Sequence, residues 1–165
     1  IVRLEILNKF GGLYVDTDFE CIKKIPDKLL LKSFICSIVF NNKPELNNAM
    51  MFSKPGDLLI NKIINSINLP NNEDDPLNII ETTGPGILTR EYFKLTSSQK
   101  ENCLILPSNY FYPYPNFDLT IKNSEIRSYI QDISIGIHHW KMSWAKGNLF
   151  KRLIRKILYI SHLKR

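Results

Sequence analysis

The sequence predicts a single α/β domain with a largely parallel or mixed sheet, and three observations carry that expectation. Short apolar runs rich in β-branched and aromatic residues recur along the chain, as in "SFICSIVF" and "DISIGIHHW". Segments with helical i, i+3, i+4 apolar spacing alternate with them, the pattern of an α/β sheet. The 165 residues are 44% hydrophobic, enough for one real core.

Taken in order, "VRLEILNKFGG" reads as a helix. Val2, Ile6 and Phe10 form one i, i+4 row with Leu4 and Leu7 beside it, and the glycine pair is a stop signal. "LYVDTD" follows as a strand, and "SFICSIVF" as a buried one. "NNAMMFSKPG" reads as a strand ending in a turn, then "DLLINKIINSI" as a helix with apolar positions 59, 60, 63, 64 and 67. The polar stretch "NLPNNEDDPLN" is a surface loop. "TTGPGILTREYFKL" is a loop entering a helix, "NCLILPSNYFYPYP" a short strand running into an aromatic, proline-rich loop, and "DISIGIHHW" the last strand. The chain does not begin with Met and opens inside a helical pattern, so a fragment lacking at least one earlier element is expected.

The net charge of +6 is unevenly placed. Residues 133–165 hold eight Lys or Arg and no acid, whereas residues 1–132 hold fourteen basic and sixteen acidic residues, or −2. A nearly neutral body argues against a nucleic-acid-binding surface there. The excess sits in "GNLFKRLIRKILYISHLKR", where Leu149, Leu153 and Ile157 form one apolar row and Phe150, Ile154 and Leu158 the next. Such a helix over 147–165 suits an anionic membrane surface, or packs on the body or a partner chain. No apolar run is long enough to cross a bilayer. Cys21, Cys36 and Cys103 are odd in number and widely spaced, which reads as thiols in a reducing, cytoplasmic compartment.

The chemistry concentrates in "GGLYVDTDFE". On a strand, Asp16 and Asp18 would emerge on one face while Thr17 faces away. Two adjacent carboxylates call for a metal, a shared proton or open water. Asp-x-Asp at a strand end offers hard oxygens to Mg²⁺ or Mn²⁺, and a leaving diphosphate needs such a cation. Alone, the pair is equally well a solvated strand end.

In its setting the pair is more specific. "RLEILNKFGGLYVDTD" resembles the pattern R-x-x-x-L-x-x-x-GG-x-Y-x-D-x-D of the glycosyltransferases with a DXD motif. These include family 32, with capsular polysaccharide and mannosyltransferase members, the α-1,4-glycosyltransferases and, more remotely, the large clostridial glucosylating toxins. Arg3, Leu7, Gly11, Gly12, Tyr14, Asp16 and Asp18 all fit, and "NNAMMFSKPG", "TGPGILT", "FYP" and "IHHWKMSW" follow in the family's order.

The resemblance implies a GT-A-like, Rossmann-related fold over 1–146, without its first nucleotide-binding strands. It also implies Mn²⁺ or Mg²⁺ dependence, a nucleotide-sugar donor, a saccharide acceptor and retention of anomeric configuration. Asp16 would contact the donor's ribose or sugar, Asp18 would ligate the metal, and Arg3 and Tyr14 would help hold the donor. Asn48 would stand near the donor sugar, Gly84 and Pro85 would shape the acceptor-side loop, and Ser143 and Trp144 would close over the diphosphate. The family's constant histidine falls at His138, a metal or diphosphate ligand. Surface polysaccharide or glycan synthesis, with the enzyme peripheral on the inner face of the membrane, is the corresponding setting.

Each residue also has a structural alternative. His138 could be a satisfied core histidine, Arg3 a solvated helix position, and Tyr110, Phe111, Tyr112 and Tyr114 a packing loop rather than a sugar platform. Two rival functions stand beside the transferase. One is a phosphatase of the haloacid-dehalogenase type, which also places Asp-x-Asp after an apolar strand. The other is a non-catalytic sugar-binding or membrane-docking remnant.

Overall fold

The computed structural model describes residues 1–39, 45–68, 81–115, 121–122 and 124–140. Ser143, Trp144, the basic helix expected over 147–165 and the polar loop from residue 69 lie outside them. In chain order the elements are α1 (Val2–Phe10), β1 (Gly12–Val15), β2 (Phe19–Cys21), β3 (Phe34–Ile38), β4 (Leu46–Ser53) and α2 (Leu58–Ser66). Then come α3 (Pro85–Phe93), α4 (Ser97–Lys100), β5 (Cys103–Leu106) and β6 (Gly136–His138). Tight 3₁₀ turns cover Asp27–Leu31, Ser108–Tyr110 and Ile126–Tyr129.

Four strands form a sheet in the order β1-β4-β3-β5. β4 runs antiparallel to both β1 and β3, and β3 runs parallel to β5. The domain is therefore mixed α/β, with one parallel pair among the described strands and no doubly wound parallel array. β2 and β6 form a separate antiparallel ladder.

β3 and β4 are buried on both faces, which is why they read as near-continuous apolar runs rather than alternating ones. Alternation sorts the side chains of β3, while a register irregularity between its Ile35 and Ser37 pairings breaks the alternation in β4. Phe34, Cys36 and Met51 join Leu4 and Leu7 of α1, Leu59, Ile60 and Ile63 of α2, and Ile87 and Leu88 of α3 in one core. Ile35, Ala49 and Met50 face the other way, toward Leu106, Phe111, Tyr112 and Ile135.

α2 starts where Asp57 accepts from the Leu59 and Ile60 amides at 2.9 and 3.1 Å, an N-cap that also suits the helix dipole. In α1 the buried pair is Leu4 and Leu7, while Val2, Ile6 and Phe10 are 71, 51 and 67% exposed. The longer apolar row thus points outward, and the i, i+3 pair beside it docks. α1 ends at Gly11, whose φ of +66° turns the chain into β1. A Cβ at Gly11 would lie 2.8 Å from the Ser53 carbonyl and 2.9 Å from Pro55 N, so backbone itself forbids a side chain there.

All three cysteines are free: Cys36 is buried, Cys103 half-buried and Cys21 exposed. Burial pushes the Cys36 thiol well above the ordinary thiol value, consistent with inert core packing. Among the described residues no helix is long and apolar enough to cross a membrane.

Candidate metal centre

The paired aspartates sit on a turn rather than on a strand face. β1 ends at Val15, and one more ladder bond, from the Asp16 amide to the Ala49 carbonyl at 2.8 Å, holds Asp16 to β4. The chain then reverses, the Phe19 amide donating to the Asp16 carbonyl at 3.1 Å. That i to i+3 bond makes Asp16–Phe19 a β-turn. The carboxylates converge because the turn curls them inward, not because they share a pleat.

The turn feeds β2 into its ladder with β6, in which Phe19 stands opposite His138. The His139 amide donates to the Asp18 carbonyl at 3.0 Å, extending that pairing. His138 is thereby brought 120 residues back along the chain to the aspartates. Its Nε2 lies 3.0 Å from Asp18 Oδ1 and 3.8 Å from Asp16 Oδ2. An ionised carboxylate can only accept, so Nε2 carries the imidazole proton in this arrangement.

His139, the neighbouring histidine, turns away: its Nε2 lies 2.9 Å from Glu20 Oε2, and Glu20 also pairs with Arg127. Successive residues of an extended segment point to opposite sides, which separates the two imidazoles. The His139 contact is the main influence holding the Glu20 carboxyl below its ordinary value.

Asp16 is held from the other side. Tyr14 donates its hydroxyl to Asp16 Oδ1 at 2.6 Å, and Arg3 Nη1 reaches the same oxygen at 3.2 Å. The guanidinium stacks 4.8 Å from the Tyr14 ring centre and also donates to the Asn48 carbonyl at 3.3 Å. Oδ1 is thus occupied and Oδ2 remains directed at His138. Burial, reinforced by the bond to Asp16, pushes the Tyr14 phenol up to about 12, so it stays a donor at neutral pH. Burial also holds the His138 imidazole below the ordinary histidine value, against the pull of Asp18 and Asp16.

One ligand atom each from Asp16, Asp18 and His138 lie within 4.8 Å of one another. Two carboxylate oxygens and a neutral imidazole suit an octahedral divalent cation that keeps further positions for water or phosphate oxygens, Mn²⁺ tolerating the nitrogen better than Mg²⁺ does. These residues are able to hold such a cation.

The expected site residues divide accordingly. Arg3, Tyr14, Asp16, Asp18 and His138 come together, and Asn48 joins through its main-chain carbonyl. Gly84 caps the N-terminus of α3 with Pro85 as its first residue, and the Pro85 carbonyl accepts from Thr89 Oγ1 at 2.9 Å. No described hydrogen bond links Gly84 or Pro85 to the aspartates. Phe111, Tyr112 and Tyr114 are buried, so this stretch is a packing loop among the described residues. Tyr112 bonds through its hydroxyl to Asn47 Oδ1 and the Met50 amide.

The residue pattern offers both aspartates to a cation, whereas the resemblance gives Asp16 to the donor and only Asp18 and His138 to the metal; the fold sets the second oxygen of Asp16 beside His138. Nothing local in the sequence marks the Glu20–His139 pair or the stacking of Phe19 on His138, because both depend on the β2–β6 register.

No curated protein and no solved structure matches the chain. Over residues 1–35, which hold Arg3, Tyr14, Asp16 and Asp18 but not His138, the chain matches the family model described as the glycosyltransferase sugar-binding region containing DXD motif.

Proposed function

We propose that the chain is the metal-dependent core of a glycosyltransferase. It moves a sugar from a nucleotide-diphosphate donor to a saccharide hydroxyl, with retention, in surface polysaccharide or glycan synthesis of the family 32 kind. The observation that carries the reading is the convergence of Asp16, Asp18 and His138 in a chain whose first 35 residues match the DXD region.

A divalent cation held there would offset the charge that develops on a departing diphosphate. The chain's own residues prepare for that. Tyr14 and Arg3 fix one Asp16 oxygen, so the carboxylate presents the other without rotating. Arg3 and Tyr14 also line an open groove with Ile1, Val2, Ile6, Leu7, Gly11 and Leu13, and a donor lying there would meet a guanidinium beside the aspartates. His138, 6% exposed, is shielded from solvent. Burial favours the neutral ring, which offers Nε2 to a metal once its proton sits on Nδ1.

The test is binding and hydrolysis of UDP- and GDP-sugars with and without Mn²⁺, by the native chain and by Asp18→Asn. Metal-dependent binding that the substitution abolishes is the expected result. Nucleotide-sugar binding indifferent to both metal and substitution overturns the reading. Phosphate release from simple phosphoesters with no nucleotide-sugar binding moves the assignment to the phosphatase class.

A further inference from the structure

Metal-binding histidines ordinarily donate their second ring N–H to a carboxylate or carbonyl, which fixes the ring's orientation. His138 departs from that habit. Its Nδ1 is buried and has no hydrogen-bond partner among the described residues. Without metal the Nε2 bond to Asp18 aims the ring; a cation taking the Nε2 lone pair would replace that bond, and something else must then keep Nε2 aimed at the aspartates.

Three aromatic rings surround the imidazole. Phe19 stacks on it with ring centres 5.7 Å apart and planes inclined by 28°. Trp140 meets it edge-on at 4.2 Å and 74°, and Tyr112 edge-on at 5.9 Å and 86°. Trp140 and Tyr112 also touch each other, at 5.5 Å. Tyr112 is fully buried and tied through its hydroxyl to β4, so it is a fixed wall.

The other two walls are held at a local cost. Trp140 has φ +52°, a region that bulky side chains rarely occupy, and its indole N–H is buried without a partner among the described residues. Phe19 lies where only glycine leaves room: a Cβ on Gly136 would fall 2.4 Å from Phe19 Cε1. The missing side chain at Gly136, across the ladder and two residues before His138, is the space that seats the ring.

We propose that Phe19 and Trp140 are positioning residues that orient His138 by ring packing, and that the absent side chain at Gly136 is what admits Phe19. Tyr112 supplies the rigid third wall. The proposal rests on the metal-centre reading for its purpose, but the clamp itself exists without metal.

Two measurements on the native chain and on Phe19→Leu, Trp140→Leu, Trp140→Phe and Gly136→Ala test it, with circular dichroism confirming the fold of each. In metal-free protein, NMR should find the His138 carbon-bound ring protons displaced upfield by their aromatic neighbours, and Phe19→Leu should lose much of that displacement. Unshifted protons in the native chain overturn the clamp regardless of metal. With Mn²⁺ added, pulsed electron paramagnetic resonance should detect nitrogen coupling from His138. Phe19→Leu, Trp140→Leu and Gly136→Ala should lose that coupling and weaken Mn²⁺ roughly ten- to hundredfold, as loss of orienting contacts does at metal sites. Trp140→Phe, which keeps a ring, should retain the coupling.

Coupling preserved in the three folded disruptive variants overturns the proposal. Upfield-shifted protons with no nitrogen coupling in the native chain instead overturn the metal-centre reading, and the positioning role falls with it.

Discussion

Replacing Asp18 with Asn should stabilise the metal-free protein and destabilise it relative to native once metal is present. The carboxylates of Asp16 and Asp18 present oxygens within 4.8 Å of each other, and their side chains are only 30 and 15% exposed. Two like charges at that separation repel by about 0.9 kcal/mol in water and about 3.5 kcal/mol at an effective dielectric of 20. Arg3, 3.2 Å from Asp16, cancels part of this. Asparagine keeps an oxygen that accepts from His138 Nε2, so the loss on that side is the charge-assisted increment, about 1 kcal/mol. The balance is a metal-free variant about 1 kcal/mol more stable, or roughly 2–4 °C in Tm for a domain of this size.

Mn²⁺ reverses the order. At a hundred times its Kd, a cation that binds only the folded state adds about 2.7 kcal/mol, roughly 5–10 °C. The native chain should gain this and Asp18→Asn should gain almost none. Thermal melts of both proteins in chelator and in Mn²⁺ are the assay. A variant less stable than native in chelator, and raised by Mn²⁺ as much as native, would refute both the repulsion and the ligand assignment.

Three other outcomes follow from the same geometry. Arg3→Met removes a cation bonded to a ligand carboxylate, and relief of about 1 kcal/mol should raise Mn²⁺ affinity about fivefold by calorimetry while weakening nucleotide diphosphates. The His138 ring should titrate below its ordinary value of 6.5 by NMR, and Asp18→Asn should lower the midpoint further, because Asp18 favours the protonated form. The unfolded chain then binds the proton more readily than the folded one, so His138 contributes stability that is present above about 6.5 and lost as pH falls through the lower folded value. Gly11→Ala should cost roughly 2–4 kcal/mol by urea denaturation, combining positive φ with backbone overlap, whereas Gly12→Ala, with φ +100° but open space, should cost about half as much.

What could be read in advance was whatever the chain writes locally. The glycine pair ending α1, the apolar runs of β3 and β4, and the helical spacing of α2 are each complete within a dozen residues, and each appears in the fold. The Asp-x-Asp pair is equally local. Its backbone setting is not: Val15 closes β1 because the turn bond from Phe19 to Asp16 competes with continued pairing along β4. A two-residue period looks the same in either case. Which face of α1 docks is not written locally either. Val2, Ile6 and Phe10 make a good apolar row, but which row docks is decided by the surfaces of α2 and the sheet, and those accept Leu4 and Leu7.

The centre is assembled by the smaller of the two described sheets. β2 and β6 pair over three residues each, and a ladder that short is not stable alone. It is held where Phe19 packs on Phe111, Tyr112 and His138, and where Ile137 is fully buried. The aspartate turn and His138 therefore meet only while aromatic packing keeps the ladder docked. A cation bridging the two sides would close the same junction from the polar end, so its binding free energy would add directly to the stability of the ladder. Metal affinity and local folding are, on this geometry, two readouts of one equilibrium.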